Sequence, residues 1–301
     1  MNSVNIFYGS DGKLKPGWRF AVFAVPFIFF WFLSVAIALG ILTLVSERRP
    51  ATSATFLLVY YLVSLTAALV LGWLCGKYLE NLPFAALGVS FESGWYRSVT
   101  LGLLGGSLTF AIAAGIGTAF RGLSFSFNES AEFAEIATTL LLSFAIFAVA
   151  AAFEEALFRG YILQTFVRSD LTLFGVLLTS TLFASIHNAN PSATTLSWVN
   201  TFIAGVWFAV SYLKTRDLWL PIGLHLAWNW TQGSIFGVEV SGITEFVKAP
   251  VMQESDIGPT WLTGGDYGIE GGIVTTIALI LSTVAIYFLP LGRADESVDV
   301  G

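Results

Sequence analysis

Two adjacent carboxylates and a guanidinium lie in "EEALFR" (Glu154–Arg159), inside a long apolar stretch. The chain's two histidines come later: His187 ends "FASIH", and His225 opens "HLAWN", which Asn229 closes. An ionised side chain at the centre of a bilayer costs roughly 2.5–3.5 kcal/mol on insertion scales, so such groups normally face a cavity and pair with one another. On a helix Glu155 and Arg159 share a face, with the acid preceding the base in the more favourable order. Glu154 is rotated by about 100° from Glu155. That leaves one tied carboxylate and one freer one. Phe183 with His187, and His225 with Asn229, also stand four apart and share faces.

A carboxylate beside a histidine can hold and deprotonate a water. A second histidine and an asparagine amide can donate hydrogen bonds to a developing oxyanion. Together these are the parts for hydrolysing an amide without a covalent intermediate. Alternatively, Glu154, His187 and His225 are candidate ligands of a catalytic zinc, with water in the fourth position. Spacing leaves both mechanisms open. Other intramembrane hydrolase signatures are missing: there is no H-E-x-x-H and no G-x-S-G, and "TGGD" at Thr263–Asp266 is not G-x-G-D. The bland readings are a Glu–Arg pair that joins helices and histidines that merely satisfy hydrogen bonds. Trp198, Trp219, Trp228 and Trp230 read as interfacial anchors or packing.

The elements that must position these residues are membrane helices. Of 301 residues, 55% are hydrophobic and 11% charged, against about 25% charged in a soluble domain. Mean hydropathy is +0.76. The apolar residues come in blocks that match the roughly 20 residues a spanning helix needs. Eight helices are predicted, at about 20–46, 55–76, 98–119, 134–167, 171–187, 196–213, 218–236 and 271–290. The expected class is all-α: a polytopic bundle of about eight transmembrane helices, one integral membrane domain over 1–301, with a catalytic core at 134–236. The first block runs longer than a signal-peptide core and reads as a retained helix. No alternating strands suggest a barrel. No basic patch with interleaved aromatics suggests nucleic acid as a partner. Cys75 stands alone and cannot form an internal disulfide.

Basic residues set the expected orientation. With the N-terminus inside, the inner segments carry Lys13, Lys15, Arg19, Lys77, Arg97, Arg168, Lys214, Arg216 and Arg293, and the outer ones Arg48, Arg49, Arg121 and Lys248. Nine against four places both termini in the cytoplasm. Counting along the helices, Glu154 stands 14 residues before Arg168 and His187 stands 17 after Asp170, about 21 and 25 Å at the helical rise. His225, eight residues past Asp217, is about 12 Å in. The fourth helix is long enough to protrude, so the three residues are expected at one level near the inner surface.

The motifs E-E-x-x-x-R, F-x-x-x-H and H-x-x-x-N occur in this order over about 134–236. In this the sequence resembles the CAAX protease and bacteriocin-processing (CPBP, Abi) family of intramembrane endopeptidases. "LENLPFAALGV" and "GDYGIEGGIVTT" look like weaker family features. The resemblance implies a cytoplasm-facing membrane cavity. It implies Glu154 as general base, His187 as its water-orienting partner, and His225 with Asn229 as the oxyanion site. Glu155 and Arg159 support them. Zinc and a metal-free glutamate mechanism are both argued for the family. The expected partners are a peptide or membrane-protein substrate and the lipid bilayer, in a bacterial inner or plasma membrane. The alternative functions are a non-catalytic immunity or scaffold protein of the same fold, and a proton-coupled transporter. The latter lacks the inverted repeats and paired broken helices expected of one.

Overall fold

In hydrocarbon every backbone N–H and C=O must be satisfied within the chain, and a long apolar block meets this by becoming a helix. The computed structural model describes residues 6–9, 12–45, 54–91, 94–243 and 246–291, and a helix stands at each of the eight expected places. They are α1 (Pro16–Val45), α2 (Ala54–Glu80), α3 (Trp95–Ala119), α4 (Phe133–Glu155), α6 (Thr172–His187), α7 (Thr195–Thr215), α8 (Trp219–Trp230) and α10 (Ile273–Phe288). α4 continues through a π-helical segment, Ala156–Ile162, into α5 (Leu163–Val167); α8 continues into a second π segment, Thr231–Ile235. A short helix, α9 (Thr260–Thr263), precedes α10. Among the described residues five helices are long and apolar enough to cross a membrane: α1, α2, α3, the α4–α5 rod and α7; α6 and α10 are shorter apolar helices. Of the basic residues counted above, Arg48, Arg49 and Arg293 lie outside the described residues.

The all-α expectation needs one amendment. Beyond α3, β1 (Leu123–Phe127) pairs antiparallel with β2 (Met252–Asp256), Leu123 opposite Asp256. The pairing spans more than a hundred residues of sequence. β2 reads "MQESD", a polar run with no alternation to betray a strand. Phe125 of β1 packs edge-on against Phe236, ring centres 5.0 Å apart.

Because the helices alternate in direction, the bundle has two ends. At the near end, where α1 starts and α10 finishes, Glu80 collects Arg19 (2.9 Å), Arg168 (3.0 Å) and the Thr165 hydroxyl (2.9 Å). The sheet and the segments after α6 and α8 form the far end. Glycines set how deep α8 sits. A Cβ on Gly102 of α3 would lie 2.5 Å from the Leu220 carbonyl oxygen, and one on Gly106 2.3 Å from that of Leu224. Small residues of this kind let membrane helices approach backbone to backbone. Asp217 then fixes where α8 begins. Its Oδ1 accepts from the Trp219 and Leu220 amides (2.9 and 3.1 Å), and its Oδ2 accepts from the Ser98 hydroxyl of α3 (2.8 Å).

Candidate active site

α4, α6 and α8 bring the singled-out residues together. Glu154 is the penultimate residue of α4, its Oε2 3.9 Å from His187 Nε2 and 3.8 Å from His225 Nε2. These separations are too long for direct hydrogen bonds. Each is one that a single water spans. Glu154 Oε2 is buried and takes no hydrogen bond from the protein, whereas the Glu154 and His187 side chains remain 14% and 16% exposed, open to the cavity beside them.

Both imidazoles are oriented from behind. His187 Nδ1 is 2.7 Å from the Phe183 carbonyl oxygen, one turn back on α6. A carbonyl can only accept, so Nδ1 carries the proton. Nε2 of the neutral ring then offers its lone pair toward Glu154. His225 Nδ1 is 3.0 Å from Glu155 Oε1, and by the same reasoning donates to it. Its Nε2 offers a lone pair when the ring is neutral and a proton when it is doubly protonated.

Glu155 is tied as its helical spacing predicts. Arg159 Nη1 is 3.1 Å from Glu155 Oε1, and both side chains are fully buried. Arg159 Nη2 donates to the Gly205 carbonyl of α7 at 2.8 Å. The guanidinium lies over the rings of Phe183 (5.0 Å) and Phe208 (5.2 Å). Phe208 also stacks on the His225 ring, centres 4.6 Å apart and 21° from parallel. Glu155 and Arg159 therefore brace His225 from behind.

Asn229 lines the same cavity as Glu154, His187 and His225. It stands one turn beyond His225 on α8. The cavity measures about 610 Å³. Its walls are largely aromatic, with Phe27 and Trp31 from α1, Tyr60 and Tyr61 from α2, and Phe153 from α4.

Several contributors were not singled out from the sequence. Gly205 passes so close to α6 that a Cβ would sit 2.8 Å from Ser180 Cα; this close packing brings the Gly205 carbonyl within reach of Arg159. Phe208 belongs to a helix without a motif. Glu270 lines the cavity and accepts from Trp228 Nε1 (3.1 Å), the Ser241 amide (2.6 Å) and the Ser241 hydroxyl (2.8 Å). It pins the segment after α8 to α8 itself, three residues beyond His225. Trp228, read as an anchor or packing, is 4% exposed and serves as packing. The π segment directly after Glu155 is a further feature the sequence did not announce. Such segments occur frequently at functional sites.

The donor types suit zinc, with two imidazole Nε2 atoms and a carboxylate oxygen. The spacing does not. Bonds of about 2.1 Å at a tetrahedral angle hold N and O about 3.4 Å apart, less than either separation here. Among the described residues no group of three His, Cys, Asp or Glu side chains is placed to hold a metal ion.

Compared with known proteins, residues 136–231 match the family described as type II CAAX prenyl endopeptidase Rce1-like. An uncharacterized 24.3 kDa protein of Escherichia coli is 35% identical over 104 residues, which are 34% of this chain and 46% of that protein. The chain thus spans less than half the length of the curated relative it matches. No solved structure matches the chain.

Proposed function

We propose that this chain, whose residues 136–231 match the type II CAAX prenyl endopeptidase Rce1-like family, is a member of the CAAX protease and bacteriocin-processing (CPBP, Abi) family and an intramembrane endopeptidase. It hydrolyses a peptide bond in a peptide or membrane-protein substrate with a water activated by Glu154 and His187. The observation that carries this reading is the free carboxylate. Glu154 Oε2 is buried without a protein partner and faces two oriented imidazoles, at 3.9 and 3.8 Å, inside an apolar bundle. A carboxylate in that setting is an acceptor held ready for a proton.

In the proposed reaction a water sits between Glu154 Oε2 and His187 Nε2. Glu154 takes one of its protons while the oxygen attacks the substrate carbonyl carbon. The carbonyl π electrons move onto oxygen, and His225, doubly protonated so that Nε2 also carries a proton, and Asn229 donate hydrogen bonds to that oxyanion. Collapse re-forms the carbonyl and breaks the C–N bond. Glu154 returns the proton to the departing nitrogen, leaving a carboxylic acid and an amine, and the acid's proton then passes to the amine to give a carboxylate and an ammonium. Glu155 and Arg159 do not touch the reacting atoms; they position the His225 ring. The aromatic walls suit an apolar stretch of polypeptide. All eight helices are inferred to cross the bilayer, since α6, α8 and α10 each have α-helical neighbours that span it.

The test compares peptides from cells making the wild-type protein with those from cells making His187→Ala at equal abundance. Products confined to the wild type support the reading. Identical peptide populations contradict it.

A further inference from the structure

The run "GDYGIEGGIVTT" takes no part in the chemistry above, yet it carries the second acid of the cavity wall. Among the described residues Glu154 and Glu270 are the acids that line the cavity, and no Lys or Arg lines it. Glu154 faces two imidazoles. Glu270 is half-buried, and among the described residues no basic side chain forms an ion pair with it. The groups that donate to it, Trp228 Nε1 to Oε1 and the Ser241 amide and hydroxyl to Oε2, are all neutral. Oε1 has capacity for a further donor. The residue is held firmly. Asn200 Nδ2 donates to the Glu270 and Gly272 carbonyls, both at 2.8 Å, and the Thr275 hydroxyl donates to the Ile269 carbonyl at 2.7 Å. Gly268, at φ +85°, turns so tightly that a Cβ would lie 2.0 Å from the Glu239 carbonyl oxygen. Beside the carboxylate, Trp228 meets Trp207 edge-on, ring centres 6.2 Å apart. Trp207 lines the cavity and is fully buried, and its Nε1 finds no acceptor among the described residues.

We propose that Glu270 is the anionic wall of a specificity subsite that takes a basic side chain, Lys or Arg, of the polypeptide substrate. An acid inside a membrane bundle normally pairs with a cation. This part of the wall supplies none, so the substrate does. Oε1 accepts from the incoming ammonium or guanidinium, and the indole faces of Trp228 and Trp207 attract the same charge. Trp207 Nε1, a donor only, is left for a backbone carbonyl of the substrate. Trp228 stands three residues after His225, about 4.5 Å along α8, and an extended chain advances roughly 3.3–3.6 Å per residue. The basic residue therefore falls within about three residues of the scissile bond. A Glu270 that merely pinned the segment after α8 would use the same three donors and impose no preference for charge. The place of the cut rests on the endopeptidase reading; the affinity for a cation does not.

The test uses the purified full chain in vesicles of uncharged lipid. The probes are a Leu–Ala–Ser peptide blocked at both ends with a central Lys, and its counterpart with Gln in that place. Binding is followed by tryptophan fluorescence. The wild type should bind the Lys peptide about tenfold or more tightly than the Gln peptide, the usual worth of a hydrogen bond to a charged group. In Glu270→Gln that ratio should fall below about twofold, and Glu270→Asp, which keeps the charge, should keep a preference for Lys. A loosened fold would weaken both peptides alike and leave the ratio standing. Equal binding by the wild type, binding of neither peptide, or an unchanged ratio in Glu270→Gln overturns the proposal. A second measurement needs no variant: a carbodiimide should couple the bound Lys to Glu270 of the wild type, and coupling at Glu154 alone, or at neither acid, overturns the proposal. In parallel, wild type and Glu154→Gln are given peptides made by cutting a whole proteome after Glu, and the products are sequenced. Cuts that depend on Glu154 should carry Lys or Arg at one fixed position, and cuts without that bias overturn the proposal. If the preference for Lys depends on Glu270 and no cut depends on Glu154, the subsite stands and the endopeptidase reading fails.

Discussion

Removing the Arg159 guanidinium measures how much of the site is held from behind. In Arg159→Met the side chain keeps its length and loses its charge. Glu155, fully buried, then keeps a single named donor, His225 Nδ1 at 3.0 Å. The Gly205 carbonyl loses the hydrogen bond it receives at 2.8 Å. Breaking a buried ion pair on one side costs about 3–5 kcal/mol, because the remaining charge is uncompensated. Against a typical total stability of about 5–15 kcal/mol, that is a large fraction. Glu155→Gln/Arg159→Met removes both charges together, so its cost should fall short of the sum of the single losses by about 2–3 kcal/mol. Arg159→Lys keeps the charge but cannot fork between Glu155 and Gly205 while covering Phe183 and Phe208, and should fall between wild type and Arg159→Met. The assay is denaturant unfolding of the purified protein in detergent, followed by tryptophan fluorescence. An Arg159→Met loss under about 0.5 kcal/mol, or additive losses in the double variant, would refute the reasoning.

Gly205→Val puts a side chain where a Cβ already meets Ser180 at 2.8 Å. It should cost about 1–3 kcal/mol through overpacking and depress cleavage by parting Arg159 from the Gly205 carbonyl; unchanged unfolding and activity would contradict this. At the far end, burial together with nearby Glu239 and Asp256 pushes the Glu254 carboxyl up to about 8 from 4.5. The folded state therefore holds this proton longer than the unfolded chain does, and stability falls as pH rises from about 4.5 to about 8, then levels. Glu254→Gln should flatten that fall, so its Tm advantage over wild type should grow between pH 5 and pH 9; a constant difference would show that Glu254 carries none of the slope. Elemental analysis of the purified protein should find far less than one zinc per chain, with cleavage surviving a chelator, because the Glu154–histidine separations exceed those of a tetrahedral site. One zinc per chain, lost in His187→Ala, would overturn that expectation.

The eight helices were readable because a membrane leaves the backbone few alternatives, and each apolar block stated its own fate. The site was readable for the complementary reason. Glu154, Glu155, Arg159, His187 and His225 are costly in hydrocarbon, so their presence there implied a shared purpose, and the four-residue spacing of Glu155 and Arg159 appears as an ion pair of 3.1 Å. What could not be read is non-local. Gly205 and Phe208 matter because α7 packs against α6, and neither differs in type from many other glycines and phenylalanines in the chain. Glu270 reaches the site only through the fold of the far-end segments. The π segment at Ala156–Ile162 changes hydrogen bonding without altering the hydrophobic pattern. Counting residues along the helices brought Glu154, His187 and His225 to one level, and the structure joins them there, with His187 last on α6 and His225 in the first half of α8.

The central claim is that the Glu154 carboxylate takes a proton from the attacking water. Glu154→Gln keeps the shape and the burial and removes that one capacity. Purified wild-type and variant proteins, matched in unfolding midpoint and reconstituted in vesicles, should be compared on a peptide cleaved by the wild type. The rate should fall by about 10²–10⁴-fold, the usual contribution of a general base. Cleavage by Glu154→Gln within a few-fold of the wild-type rate would contradict the account.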